Sequence, residues 1–173
     1  KSNNAVILTD KIVWENRRRF SEKQLIIKIH DLFEVEKVIL IPWDEECEFG
    51  HSDGMLRFIT NDKVLISGFY EKADKYFSKK IIESVDKAKL DWEWLRVAEA
   101  ETENNIAYVN FLQTKDFIIV PSLNQPEDEE AIKGISKCFP HYASNNMIVK
   151  FDVRELFLMG GALNCITWTI KQN

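Results

Sequence analysis

The segment Met55–Ser67 reads Met-Leu-Arg-Phe-Ile-Thr-Asn-Asp-Lys-Val-Leu-Ile-Ser and predicts two strands joined by a polar turn at Asn61–Asp62. Apolar and β-branched residues dominate both arms, and Asn and Asp are typical turn residues. A helix is predicted next, with one apolar stripe formed by Ala73, Phe77, Ile81 and Val85. The stretch Trp94–Ala98 then predicts a closing strand, so that the segment belongs to a strand–strand–helix–strand unit.

The same order of elements is predicted upstream. Ala5–Thr9 and Ile12–Trp14 suggest a hairpin that turns at Asp10–Lys11. A Ser-Glu-Lys-Gln capping box begins at Ser21 and precedes apolar residues at helical spacing. Lys37–Ile41 then predicts the closing strand of this first unit.

Two further copies are predicted downstream. In the third, Ile106–Leu112 and Phe117–Val120 predict strands, a helix begins after Pro126, and Met147–Lys150 closes the unit. The fourth predicts a strand at Val153–Leu158, a turn at Gly160–Gly161 and a strand at Cys165–Ile170.

The turns of successive units recur about every fifty residues, which is typical of an array of stacked modules. We therefore predict one α/β domain over residues 1–173, built of repeated ββαβ modules at about 1–50, 51–104, 105–150 and 151–173. Because one module cannot cover its own apolar face, neighbouring modules are expected to stack, with helices outside and strands inside.

Composition limits the classes of function. The 173 residues are 45% hydrophobic and carry a net charge of -5, which favours a globular core and argues against a nucleic-acid partner. No apolar run is long enough to span a membrane. The three cysteines show no CxxC spacing, so we expect a reducing, cytoplasmic compartment without disulfides; secretion stays open because the sequence begins at Lys1.

Two segments carry residues suited to catalysis. His51 and Asp53 stand two positions apart between glycines, and in an extended segment they would face the same side. Cys165 follows the pair Gly160–Gly161 and precedes a run of β-formers. Cysteine, histidine and carboxylate together are the minimum set for covalent catalysis by a thiol.

Several motifs, in this order and spacing, resemble the agmatine deiminase and bacterial peptidylarginine deiminase family of the pentein, or guanidine-modifying, superfamily. The matching segments cover nearly the whole sequence: Gly50–Gly54, Arg57–Phe58, Tyr108–Phe111, Ile118–Pro121, Phe139–Pro140 and Gly160–Thr167. The resemblance implies a pentein α/β-propeller of five ββαβ modules, of which this sequence would supply a carboxy-terminal portion of about three and a half. The family usually has histidine where this sequence has Asn164.

The resemblance also implies hydrolysis of a guanidinium group, from agmatine or peptidyl-arginine, to a ureido group and ammonia. Cys165 would be the nucleophile, because a thiolate attacks this weakly electrophilic carbon at low basicity. Its pKa could be lowered by His51, by the bound cation or by both. His51 would transfer protons, and Asp53 would bind the guanidinium N–H groups.

Gly161 and Trp168, close to the cysteine in sequence, are also predicted to contact the substrate, and no metal or cofactor is expected. Cys47 and Cys138 are interpreted as structural, and the acidic run at residues 44–48 as a solvated loop. Two alternatives to a deiminase stay open. One is a non-catalytic pentein-like module, with a homo-oligomer as a possible partner state; the other is an amidinotransferase, which passes the same covalent intermediate to an amine.

Overall fold

The computed structural model describes residues 1–2, 4–47, 49–97 and 106–167. Its elements form a mixed α/β fold. They are β1 (Ala5–Thr9), α1 (Lys11–Asn16), α2 (Glu22–Phe33), β2 (Lys37–Ile41), β3 (Leu56–Phe58), β4 (Lys63–Ser67), α3 (Phe69–Ala73), α4 (Lys75–Lys87), β5 (Asp91–Leu95), α5 (Ile106–Val109), β6 (Leu112–Gln113), β7 (Ile118–Ser122), α6 (Glu127–Cys138), α7 (Pro140–Ser144), β8 (Ile148–Asp152) and α8 (Arg154–Leu158).

The described strands form three separate sheets of related topology. In the second sheet β4 lies between β3, which is antiparallel to it, and β5, which is parallel to it. The third sheet repeats this arrangement with β6, β7 and β8. The first sheet contains the parallel pair β1 and β2. The helices α2, α4 and α6 each lie between the two parallel strands of one sheet, so the three described sheets share a strand–helix–strand arrangement.

Two of the three long helices, α2 and α6, begin where the sequence predicts, after Ser21 and Pro126. The third prediction needs correction, because Asp74 is extended and separates α3, which ends at Ala73, from α4, so Ala73 does not belong to the helix of Phe77, Ile81 and Val85. Ser21 and Gln24 form the reciprocal capping box at the start of α2. The Asp74 side chain accepts hydrogen bonds from the backbone N–H groups of Tyr76 and Phe77 at the start of α4. Four acidic residues occupy the first turn of α6, where they interact favourably with the helix dipole. Local capping thus fixes the ends of the helices that later pack against the sheets.

Side chains of the first sheet alternate between two buried layers. Val6 lies in a cluster with Leu25 of α2, the helix of its own module. Ile7 points to the other layer and shares a cluster with Ile81 of α4, which belongs to the next module. The first sheet is therefore covered on one face by its own helix and on the other by the following module.

The second sheet repeats this packing. Val64 lies in the cluster that contains Ile81 of α4, whereas its neighbour Leu65 lies in a cluster with Ile135 of α6. These four side chains range from 0% to 1% exposed. Neighbouring modules thus share buried clusters, as the stacking prediction requires.

The predicted hairpin at Asp10 is wrong, because Ile12–Trp14 lies in the helix α1. The backbone carbonyl of Asp10 accepts hydrogen bonds from Val13 N at 2.9 Å and from Trp14 N at 3.3 Å, which close the first helical turn. Ile12 and Val13 are partly buried against the cluster that includes α2. A short apolar run does not distinguish a strand from a helix, and here packing against α2 decides.

Two more predicted strands are largely helical. In Ile106–Leu112, the first four residues form α5 and only Leu112 belongs to a strand. In Val153–Leu158, all residues but the first form α8, and Phe157 N donates to Val153 O at 2.7 Å in a helical pattern. Both helices turn apolar side chains into a small cluster that includes Ala107, Val153 and Leu163.

The strand predicted to begin at Cys165 is also wrong for its described residues, because residues 163–166 form a turn. The remainder of that predicted strand, residues 168–170, lies outside the described residues. The strand predicted at Trp94–Ala98 is displaced, since β5 ends at Leu95, and Ala98 also lies outside the described part of the chain. Within the described ranges, no helix has the length and apolar character that crossing a bilayer requires.

Candidate active site

A cavity of about 90 Å³ lies between the loop that precedes β3 and the segment that follows α8. Its walls include four of the residues predicted from the sequence: His51, Asp53, Gly161 and Cys165. Segments more than a hundred residues apart in sequence therefore meet at one place. Trp168, the fifth predicted residue, lies outside the described residues.

The loop that carries His51 and Asp53 is fixed to the first sheet. The carbonyl of Gly50 accepts a 2.7 Å hydrogen bond from the Thr9 hydroxyl, and the Ser52 hydroxyl donates to Ile7 O at 3.2 Å. Gly50 has φ +59, and a Cβ there would lie 2.9 Å from the Trp43 ring. The loop conformation thus requires glycine at this position.

The two side chains do not share a strand. His51 is extended, with φ -84 and ψ 143, whereas Asp53 lies in a single turn of 3-10 helix at Ser52–Gly54. The segment is therefore not extended throughout, and the predicted placement of both side chains on one side of an extended chain is wrong. They nevertheless line the same cavity, because the turn brings the Asp53 carboxylate toward Cys165 while His51 remains exposed beside the Phe49 ring.

Asn110 holds the cysteine segment in place. It is only 3% exposed, and its side-chain Oδ1 accepts hydrogen bonds from Asn164 N at 2.9 Å and Cys165 N at 3.3 Å. Its backbone carbonyl accepts a further bond from Asn164 N at 3.1 Å. A Cβ on Gly161 would lie 3.3 Å from Cys165 Cβ, so a larger residue at this position would crowd the cysteine side chain.

The thiol faces a carboxylate and an amide. Cys165 Sγ lies 3.6 Å from Asp53 Oδ2 and 3.5 Å from Asn110 Oδ1. Burial raises the pKa of the Cys165 thiol above its ordinary value, and the negative charge of Asp53 raises it further. In the ligand-free site the pKa is therefore shifted upward, and a cation placed between thiol and carboxylate would favour the thiolate.

A second row of polar side chains lies behind Asp53. Asn164 Nδ2 donates to Asp53 Oδ2 at 2.8 Å, and Arg57 Nη1 donates to Asn164 Oδ1 at 3.1 Å. Arg57 also donates to the carbonyl of Phe111 and lies over the ring of that residue, 4.4 Å from its centroid. Burial lowers the pKa of Arg57 to about 10, although nearby Asp53 acts in the opposite direction. At neutral pH this partly buried guanidinium therefore remains charged.

Sequence reasoning missed several residues of the cavity. Cys47 lines it, although it was interpreted as structural. Tyr70 also lines it, is 3% exposed, and donates to Asp44 Oδ2 at 3.3 Å, so one member of the acidic run has a specific partner. Asn110 lay within a quoted motif, and its burial could not be inferred from that motif.

Among the residues with described positions, no group of three or more His, Cys, Asp or Glu side chains could hold a metal ion.

The third cysteine lies apart from the cavity. Cys138 Sγ donates to Glu93 Oε1 at 2.7 Å, and burial together with this carboxylate raises the pKa of Cys138 to about 12. Cys138 is therefore expected to react slowly with alkylating reagents at neutral pH.

With this geometry in hand, comparison with known proteins decides the family. Residues 2–170 match the model of the Porphyromonas-type peptidyl-arginine deiminases. The chain belongs to this family. The agmatine deiminase of Pseudomonas syringae pv. syringae is 41% identical over 61 residues, which are 35% of this chain and 16% of that protein. The agmatine deiminase of Ectopseudomonas mendocina is 23% identical over 94% of this chain and 52% of its own length.

Solved structures show the same fold. C. jejuni agmatine deiminase has a TM-score of 0.73 at 20% identity, covering 94% of this chain and 50% of that one. The agmatine deiminase of Enterococcus faecalis gives a TM-score of 0.73 at 20% identity, over 94% of this chain and 53% of that one. The chain thus spans about half the length of the relatives that it matches from end to end.

Proposed function

We propose that this chain provides the cysteine-bearing part of a deiminase active site, a C–N hydrolase site that converts a guanidinium group into a ureido group and ammonia. The observation that supports the proposal most strongly is the 3.6 Å approach of Cys165 Sγ to Asp53 Oδ2, in a cavity that His51 also lines. A nucleophile, a proton-transfer group and a carboxylate suited to a cation thus line one cavity.

In the proposed reaction the Cys165 thiol gives its proton to His51, and Sγ forms a bond to the central guanidinium carbon. The C–N bond to one nitrogen then breaks, and His51 donates the proton with which this nitrogen leaves as ammonia. The remaining S-alkylthiouronium is attacked by water, which gives a proton to His51. The C–S bond then breaks, Sγ takes the proton held by His51, and the added hydroxyl loses its proton to solvent as the ureido carbonyl forms. This step releases the ureido product and restores the thiol.

Asp53 would bind the substrate and prepare the nucleophile. A carboxylate accepts hydrogen bonds from the N–H groups of a guanidinium and fixes its plane. Because burial and Asp53 raise the pKa of free Cys165, the thiol is protonated until the substrate enters. The substrate's own positive charge then lowers the pKa, so that thiolate forms when the electrophile is already in place.

The complete site would need more than this chain contributes. The described cavity measures only about 90 Å³, and the chain spans about half the length of its relatives. We therefore propose that modules at about 1–50, 51–104, 105–150 and 151–173 form part of a five-module propeller. The remaining modules would then supply a second carboxylate and close the pocket. By itself the chain would expose module faces that favour a homo-oligomer.

Agmatine or peptidyl-arginine is the proposed substrate, and a reducing, cytoplasmic compartment suits the free thiols at Cys47, Cys138 and Cys165. A Cys-to-Ser variant of C. jejuni agmatine deiminase has been solved with substrate bound, and it shares this fold with a TM-score of 0.71. That structure supports a small guanidinium compound as the ligand for which the cavity should be tested.

Ammonia release from agmatine and from a peptidyl-arginine tests the proposal. We expect slow release by the 173-residue chain and none by Cys165→Ser. Release that survives in Cys165→Ser would refute the covalent mechanism. If the folded chain binds agmatine but shows no Cys165-dependent release of ammonia, the non-catalytic module is favoured. If the amidino group is transferred to an added amine, the amidinotransferase is favoured.

A further inference from the structure

Asp53 lies between two cavities. One side forms the wall of the cavity that contains Cys165 and His51. The other side faces a second cavity of about 130 Å³, whose lining includes Arg57 and Asn164 but neither of those two residues. Arg57 and Asn164 are therefore placed to act on Asp53 from behind, without lining the first cavity.

The orientation of the Asn164 amide follows from its two partners. A guanidinium only donates hydrogen bonds, so the atom of Asn164 that faces Arg57 at 3.1 Å must be the oxygen. The amide nitrogen then has to face Asp53 Oδ2, at 2.8 Å. Arg57 is itself fixed by the Phe111 carbonyl and ring. Each member of this series determines the orientation of the next one.

The amide also keeps two charges apart. A guanidinium bonded directly to Asp53 would occupy the carboxylate in the way that a guanidinium substrate is proposed to do. The intervening Asn164 amide instead donates one hydrogen bond to Oδ2, and it brings no positive charge to the carboxylate. Asp53 therefore keeps further lone pairs for a cation.

We propose that Asn164 and Arg57 are positioning residues: Arg57 fixes the Asn164 amide, and Asn164 holds Asp53 so that its carboxylate faces Cys165 and selects a cation there. This inference rests on the proposed function, because it concerns how the substrate guanidinium is bound. It also gives a role to the asparagine at the position where the family usually has histidine.

Alkylation of Cys165 provides the test, since it needs no turnover. Two reagents of similar size and with the same leaving group are compared on the 173-residue chain: 2-chloroacetamidine, which is a cation, and 2-chloroacetamide, which is neutral. The measured quantity is the ratio of their second-order rate constants at Cys165. A general loosening of the structure changes both rates, whereas loss of the positioned carboxylate lowers the rate for the cation selectively.

Asn164→Leu should lower this ratio about tenfold, the effect expected from losing a hydrogen bond to a charged group. Gln113→Leu is the matched control because Gln113 lines the same second cavity, and its ratio should equal that of the unaltered chain. In an Asp53→Asn background, Asn164→Leu should cause no further decrease, because it acts only through Asp53. Asn164→Ser serves as a second variant if the leucine variant does not fold.

The outcomes are distinguishable. A tenfold decrease that disappears in the Asp53→Asn background supports the inference. If Asp53→Asn lowers the ratio but neither Asn164 variant does, the positioning role is refuted while the proposed function stands. If the unaltered chain shows no preference for the amidine, Asp53 does not hold a cation. That result overturns both the positioning role and the proposed function.

Discussion

Two carboxylates in this molecule, Asp128 and Asp53, are used in opposite ways. Asp128 is 3% exposed and accepts hydrogen bonds from the hydroxyls of Tyr108 and Ser122 at 2.8 and 2.6 Å. It also accepts bonds from backbone N–H groups of residues 123–125. Within the described residues, Asp53 accepts bonds on Oδ2 from Asn164 and from the Cys165 thiol, and it faces a cavity.

The difference indicates a structural role for Asp128 and a functional role for Asp53. The lone pairs of Asp128 are taken up by neighbours within one module, so this carboxylate fixes the turn between β7 and α6. Asp53 is held at one oxygen by a residue from a distant part of the chain and retains capacity to accept hydrogen bonds from a ligand. Changes at Asp128 should therefore alter stability, and changes at Asp53 or its neighbour Cys165 should alter chemistry.

The largest effect is expected from Cys165→Ser. A serine hydroxyl is a much weaker nucleophile than a thiolate at neutral pH, so ammonia release from agmatine should fall by about a thousandfold or more. The melting temperature should stay close to that of the unaltered chain, because serine is nearly isosteric with cysteine. Cys47→Ser is the matched control, and an equal loss of activity in that variant would contradict the assigned nucleophile.

Asp128→Ala should have the next largest effect, on stability. It leaves the hydroxyls of Tyr108 and Ser122 and several backbone N–H groups without their acceptor, which should cost about 2–4 kcal/mol. Urea unfolding measures the change, with Asp116→Ala as an exposed control carboxylate. A free energy of unfolding within error of the control would show that this network is dispensable.

Asp53→Asn should leave stability nearly unchanged and weaken agmatine binding about tenfold, since the amide loses the charge that attracts the guanidinium. Isothermal titration calorimetry of the Cys165→Ser chain, with and without this change, gives the ratio of dissociation constants. Equal affinities would remove Asp53 from the binding site. A large loss of folding stability instead would place it with Asp128 as a structural residue.

The smallest effect is a pH dependence at Asp128. Burial by itself raises the pKa of this carboxyl, but hydrogen bonds from Ser122, the backbone of Leu123 and Tyr108 outweigh it and hold the pKa below its ordinary value. The stabilisation is therefore fully present above the pKa of the unfolded chain, about 4, and is lost as pH falls below it. Urea unfolding between neutral and acid pH should show the difference between the chain and Asp128→Asn shrinking on acidification. A difference that grows would have the wrong sign.

The sequence predicted individual helices and strands correctly where a pattern was long. Helices α2, α4 and α6 have apolar stripes over several turns and recognisable caps, and strands β1, β2 and β4 have continuous β-forming residues. The errors at Ile12–Trp14, Ile106–Leu112 and Val153–Leu158 concern short apolar runs. Such runs suit either a strand or a helix, and contacts with other elements decided in favour of helices.

For the site, the motifs predicted which residues meet but not how they are arranged. His51, Asp53, Gly161 and Cys165 line one cavity as the resemblance implies. Their support could not be predicted, because the bonds of Asn110 to the cysteine segment and of Asn164 to Asp53 join residues that are more than fifty positions apart. The direction of the Cys165 pKa shift also depends on burial, which only the fold determines.

Mapping the site of fastest alkylation by 2-chloroacetamidine tests the central claim most directly. After brief labelling at neutral pH, digestion and mass spectrometry give the modified fraction of each cysteine. The account predicts that Cys165 is modified first, that Cys138 reacts little because its pKa is near 12, and that agmatine slows labelling of Cys165. Asp53→Asn should slow it as well, whereas Asp116→Asn should not. Faster modification of Cys47 or Cys138, or labelling of Cys165 that is indifferent to both agmatine and Asp53, would contradict it.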